Sequence, residues 1–282
     1  YTFDATDCRD WYYEMLAQIL EAVESNRYLP IYRMGDGEYR FALGESFGRE
    51  SSPWRLSLRQ LVREFVTGLK GKKGYHKSGS GEYGFEEYSP SEREQVYSVF
   101  TECLRYVSKH GILALGLHDR PIYQTFIPEI FDWFDSYQIL INRKNYYHVY
   151  AIYALMHGPD RFALLKGRRI LVITSLTPVK QRGIEAGLRK IDVADVQFLE
   201  VSSSKAMFDK INLEAVEQPV DVVLIGAGVG SVNILAQLEP LQTACLDVGF
   251  ALSTLANPDL RWNRPFCIPD DEFDMSKVRW LR

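Results

Sequence analysis

Cysteine is scarce in this chain and never closely spaced. The four residues Cys8, Cys103, Cys245 and Cys267 form no CxxC pair, which leaves no basis for a zinc ribbon or a redox dithiol. They read instead as reduced, mostly buried thiols of a cytoplasmic protein. No apolar run reaches the roughly 20 residues that a membrane-spanning helix needs, and no signal-peptide pattern is visible. Positive charge is not in excess either: the formal net charge is -4, so a nucleic-acid binder that relies on a large positive field is excluded. Three familiar catalytic spellings are missing, namely GxxxxGK[ST], GxSxG and HExxH. Their absence removes the usual grounds for a P-loop NTPase, an α/β-hydrolase or a zinc protease. There is no internal repeat and no low-complexity tract. The chain opens at Tyr1 rather than Met and reads as a piece of a longer protein with domains flanking it, so a missing targeting segment carries little weight.

What is present suffices for a large core. Of 282 residues, 46% are hydrophobic and 25% charged, an ordinary globular composition. One α/β domain over 1–282 accounts for the length. A helical period runs through 7–24, and a short apolar run at 28–34 reads as a strand. Ser52-Pro53 opens a helix with its stripe at Trp54, Leu58, Leu61, Val62, Phe65 and Leu69. Residues 70–88 have no period and read as a flexible loop. Its Lys72, Lys73, His76 and Lys77 suit either an anion or plain solvation. Ser89-Pro90-Ser91-Glu92 is a capping box for a helix to about Lys109. Further strands are expected at 112–117, 138–141, 168–174, 196–201, 220–225 and 244–247. Helices are expected from Tyr146 to Met156, over 177–190 and over 232–238, with another after Ser202-Ser203-Ser204-Lys205, while the tail over 258–282 reads as irregular. Strands alternating with helices imply a doubly wound, mostly parallel, Rossmann-like sheet covered on both faces.

The densest chemistry lies in Arg33-Met34-Gly35-Asp36-Gly37-Glu38-Tyr39-Arg40, between the first strand and a helix expected to open at Phe41. Two carboxylates two residues apart stand at the carboxyl end of a strand, where open α/β sheets collect ligands. Gly35 and Gly37 allow a sharp turn and a close approach. Arg33 and Arg40 bracket the pair with fixed positive charge. Hard oxygen ligands beside guanidiniums suit a divalent cation that holds a diphosphate. The plainer alternative makes Asp36 a helix N-cap and places Glu38 in the first turn, favoured by the helix dipole.

Gly226-Ala227-Gly228-Val229-Gly230-Ser231 is a second candidate. A glycine turn between strand and helix can aim backbone N–H groups at an anion, or it can simply allow close packing. Ser231 stands where the third glycine of a dinucleotide fingerprint belongs, and the spelling also resembles the loop of adenosylmethionine-dependent methyltransferases. Ser203, Ser204 and Lys205 suit a phosphate or a base edge, or else a plain cap. Asp247 ends the last strand on the ligand side. Asp247, Asp119 and His118 are candidate general bases, and the residues do not choose among them.

The first motif resembles the RxGDGE signature of the bacterial GT-D type glycosyltransferases, and later landmarks follow in a similar order over residues 28–256. These are the strand at 112–117, the basic segment near 170–182, the polar turn at 202–206, the glycine turn at 226–231 and Asp247-Val248-Gly249. Phe250 replaces the family's histidine, and Gly226-Ala227-Gly228 replaces its usual Gly-Pro-Thr. The resemblance implies a GT-D-like fold and a nucleotide-sugar donor, a UDP-sugar first. It further implies Mn²⁺ or Mg²⁺ held by Asp36 and Glu38 as the catalytic pair. Arg33 and Arg40 would add charge beside Gly35. Lys205, Gly226, Gly228, Ser231 and Asp247 would line the nucleotide pocket. The acceptor would be a glycan, a lipid-linked glycan or a glycoprotein, handled in the cytoplasm or at the inner membrane face. Two rivals stand beside this reading: a methyltransferase using Gly226–Gly230, and a non-catalytic nucleotide-sugar-binding module.

Overall fold

The computed structural model describes residues 9–43, 88–116, 129–217 and 219–263, together with 268, 272 and 274–277. The helix expected after Ser52, the loop lysines with His76, and His118-Asp119-Arg120 lie outside the described residues. So do the side chains of Asp36 and Arg40.

Seven strands form one sheet: β1 Leu29–Met34, β2 Ile112–Leu115, β3 Tyr146–His148, β4 Arg169–Thr174, β5 Asp195–Glu200, β6 Val222–Gly226 and β7 Ala244–Asp247. Their order is β3-β2-β1-β7-β6-β4-β5, and every pairing is parallel. β1, β6 and β7 sit inside the sheet, and Val222, Val223, Leu224 and Ile225 are fully buried. An unbroken apolar run is what a strand covered on both faces requires. β5 is an edge strand, its residues only partly buried.

Helices cover both faces. They are α1 Arg9–Glu24, α2 Asp36–Ala42, α3 Pro90–His110, α4 Glu129–Ser136, α5 Ala151–His157, α6 Arg161–Leu165, α7 Pro178–Arg189, α8 Ser231–Leu235 and α9 Ala251–Ala256. α3 and α8 pack on each other and on β1, while α9 packs on α7 and α5, and α1 on α6. α3 starts as its capping box predicts: Ser89 accepts at the cap, and Glu92 Oε2 takes the Ser89 N–H at 2.9 Å.

Two expectations fail between α4 and α5. Residues 138–141 form no strand, and the strand falls at Tyr146–His148, where a helix was expected. Gln138 turns the chain with φ +56°. The buried Asn145 then holds the segment that follows. Its carboxamide nitrogen donates to Ser108 O at 2.7 Å and Leu140 O at 2.8 Å, and its oxygen accepts from Asn142 N at 2.8 Å. Those bonds take the place of a ladder, and the aromatic run after Asn145 pairs with β2 instead. A third correction concerns 202–206. Ser202 Oγ accepts from Lys205 N at 2.9 Å, and only a 3₁₀ turn, Ala206–Phe208, follows, not an α-helix. In the tail, Trp262 and Ile268 are buried together, and Arg261 meets Glu272 at 2.5 Å.

Candidate active site at the β1–β7 switch point

The sheet grows in two directions from the β1/β7 pair. From β1 the chain crosses to β2 and β3, whereas β7 is reached from β6, and α9 after it packs toward α7. The connections leaving β1 and β7 therefore run to different sides of the seam, which makes their carboxyl ends a switch point, the place where doubly wound sheets bind ligands.

On the β1 side, Gly35 is the N-cap of α2, which makes Asp36 the first helical residue and Glu38 the third. The helix thus begins five residues before Phe41, and residues 36 and 38 fall in its first turn. Glu38 is buried, and its Oε2 accepts the Gly35 N–H at 3.0 Å. That is the reciprocal half of a capping box, at a helix end where the dipole favours negative charge. A Cβ on Gly35 would come within 3.0 Å of that same oxygen.

Arg33 connects the two strand ends. Its guanidinium lies over the Tyr153 ring of α5, 5.2 Å from the centroid, a cation–π stack. It also rests against Gly249 just after β7. A Cβ there would stand 3.0 Å from Nη2, and Gly249 has φ +47°. The glycine supplies both the left-handed backbone and the space for the guanidinium. The Arg33 backbone N–H donates to Asp247 Oδ2 at 3.4 Å.

Asp247 is the more deeply buried of the two described carboxylates, 2% exposed. Burial pushes its pKa up to about 6, and the Arg33 charge, the Ser231 hydroxyl and the Arg33 and Gly249 N–H groups act in the opposite direction. Desolvation therefore prevails over a substantial set of partners. Ser231 is fully buried at the start of α8 and contributes through Asp247.

The glycine turn is used largely for packing. A Cβ on Gly226 would meet Leu252 Cδ1 at 2.6 Å, and one on Gly230 would meet Ala206 Cβ at 2.3 Å. Gly228 differs, with φ +56° and nothing within 4 Å. Lys205 is not drawn to the carboxylates: its Nζ donates to Glu92 Oε1 at 2.6 Å, and with Ser89 it holds Glu92 down to about 2.

The structure thus brings together Arg33, Gly35, Glu38, Ser231 and Asp247, and it engages Lys205 elsewhere. Tyr153 and Gly249 complete the setting. Gly249 was visible as part of the Asp-x-Gly, but nothing in the local spelling points to Tyr153, which only the fold carries to Arg33. Among the described residues no three His, Cys, Asp or Glu side chains converge to hold a metal ion. A cation that arrives with a diphosphate needs only one or two carboxylates, since phosphate oxygens and water supply the rest. The described carboxylates at this edge, Glu38 and Asp247, offer oxygen donors of that kind. No helix among the described residues is long and apolar enough to cross a membrane. No protein-family model, curated protein or solved structure matches this chain. The Rossmann-like fold is common among nucleotide-binding enzymes and does not by itself specify a reaction.

Proposed function

We propose that the chain transfers a sugar from a nucleoside-diphosphate sugar, a UDP-sugar first, to an acceptor hydroxyl of a surface glycan or glycoprotein. One observation supports it above the others: Arg33, Glu38 and Asp247 converge where β1 and β7 part. On this reading Asp36 and Glu38, in the first turn of α2, hold Mn²⁺ or Mg²⁺. The cation would supply charge neutralisation of the leaving diphosphate. Arg33, immobilised on Tyr153, binds diphosphate oxygens with a preset geometry, so little reorganisation is needed as charge develops. Asp247 in turn orients Arg33 through its backbone N–H. Arg40 adds positive charge beside the same turn. The methyltransferase alternative draws less support, because Gly226 and Gly230 serve helix and turn packing.

The test is calorimetric titration of UDP with and without Mn²⁺. Wild type should bind UDP with metal and lose at least ten-fold in affinity without it. Asp36→Ala combined with Glu38→Ala should abolish the metal-dependent part. Adenosylmethionine binding without metal, in place of any nucleoside diphosphate, would overturn the proposal.

A further inference from the structure

Tyr32 lies one residue before Arg33 on β1 and is completely buried. Its hydroxyl has no hydrogen-bond partner among the described residues. A buried hydroxyl left in that condition costs free energy that a phenylalanine of the same shape would not, and such groups call for an explanation. Its surroundings suggest one. Ile31 is in register with Leu246, so the next pair across the seam sets Tyr32 beside Asp247. Strand alternation turns in-register side chains of parallel neighbours to the same face. The Glu38 and Asp247 carboxylates are the leading charges acting on the Tyr32 phenol, and together with burial they hold it firmly protonated. The hydroxyl is thus an unused donor on the face of the sheet that Asp247 shares.

Asp247 and an incoming diphosphate make competing demands on Arg33. In the structure the Arg33 charge partly offsets the cost of burying Asp247. A diphosphate bound to the guanidinium would claim that charge and leave the carboxylate less compensated. We infer that Tyr32 is a positioning residue of this site, whose hydroxyl donates to the Asp247 carboxylate when an anionic ligand engages Arg33. This rests on the nucleotide-sugar reading above and adds to it a residue that touches neither ligand nor metal.

Tyr32→Phe tests it, since the ring and its packing remain. Two measurements are made on each protein: thermal unfolding without nucleotide, and calorimetric titration of UDP with Mn²⁺. Should wild type prefer ADP, GDP, CDP or dTDP, that nucleotide replaces UDP for both. The variant should melt at or above the wild-type temperature and bind the nucleotide at least ten-fold more weakly. Wild-type affinity in the variant overturns the inference and leaves the functional reading standing. Melting several degrees below wild type also overturns it, because the hydroxyl would then hold a structural bond. A wild type that binds no nucleoside diphosphate, with or without Mn²⁺, overturns the functional reading and this inference with it.

Discussion

At the scale of single residues, the site holds a carboxylate that the fold itself disfavours. Asp247 has a pKa near 6 in the folded chain against an ordinary 3.8. Between those values the native state keeps a proton that the unfolded state has released. Stability therefore falls as pH rises from about 4 to about 6, and the cost, on the order of 3 kcal/mol, is fully present above that window. Asp247→Asn should remove it. With divalent cations chelated, urea midpoints of the variant should gain on wild type at pH 7 relative to pH 4.5. The pH-dependent part of that difference belongs to residue 247, since other titrating groups are common to both proteins. A flat difference between the two pH values would contradict the assignment. Gly249 allows a second test. Alanine there places a Cβ 3.0 Å from Arg33 Nη2 at a φ of +47°. Backbone strain of about 1 kcal/mol or more is expected, with a loss of nucleotide affinity, whereas alanine at the open Gly228 should carry strain alone.

At the scale of elements, close approach decides where glycine is required inside helices. α7 carries Gly183 and Gly187 on the side that meets α9. A Cβ on Gly187 would sit 2.3 Å from the Leu255 carbonyl oxygen, and one on Gly183 would sit 3.0 Å from Ala256 Cβ. In an exposed helix Gly→Ala gains up to about 1 kcal/mol. Here Gly187→Ala should instead lose about 1–3 kcal/mol by overpacking, measurable as a lower chemical-denaturation midpoint with an unchanged slope. Asn145→Leu should cost about 2–3 kcal/mol, because it leaves the Ser108 and Leu140 carbonyls without their donor. That same residue shows why sequence periodicity failed locally. The short apolar stretch 138–141 has a strand's composition, but the Leu140 N–H donates to Ser108 Oγ and its carbonyl accepts from the Asn145 carboxamide. The run Tyr146-Tyr147-His148-Val149-Tyr150 was rich enough in aromatic and β-branched residues to be read as a strand. The strands from β4 onward were legible because their apolar runs are unbroken and turn residues bound them. At the site, the motif around Asp36 and Glu38 was legible as a strand end. The alternative that places Glu38 in a helix's first turn holds, with the cap one residue earlier, at Gly35 rather than Asp36.

At the scale of the whole molecule, strand order was not legible in the sequence, and it governs how the site forms. β7 is the last strand in the chain, yet it lies between β1 and β6, with Leu29 in register with Ala244. The site forms only when segments more than 200 residues apart pair, which is a slow, non-local step. Sheet halves joined through one central seam should unfold together, and a ligand at that seam contacts both. Arg33 and Glu38 belong to the first half, and Asp247 to the strand that ties it to the second. Binding there must be given up in global unfolding, since parting β1 from β7 dismantles the site. Nucleotide and Mn²⁺ at about 100 times the dissociation constant should therefore add about 2.7 kcal/mol to global stability, roughly 5 °C or more in the unfolding midpoint for a chain of this size. The shift should be equal by tryptophan fluorescence and by far-ultraviolet circular dichroism, and cut to about half or less in Asp36→Ala with Glu38→Ala. A shift confined to fluorescence would mean that the ligand orders only local structure. A shift retained in full in the double variant would move the binding site away from the seam.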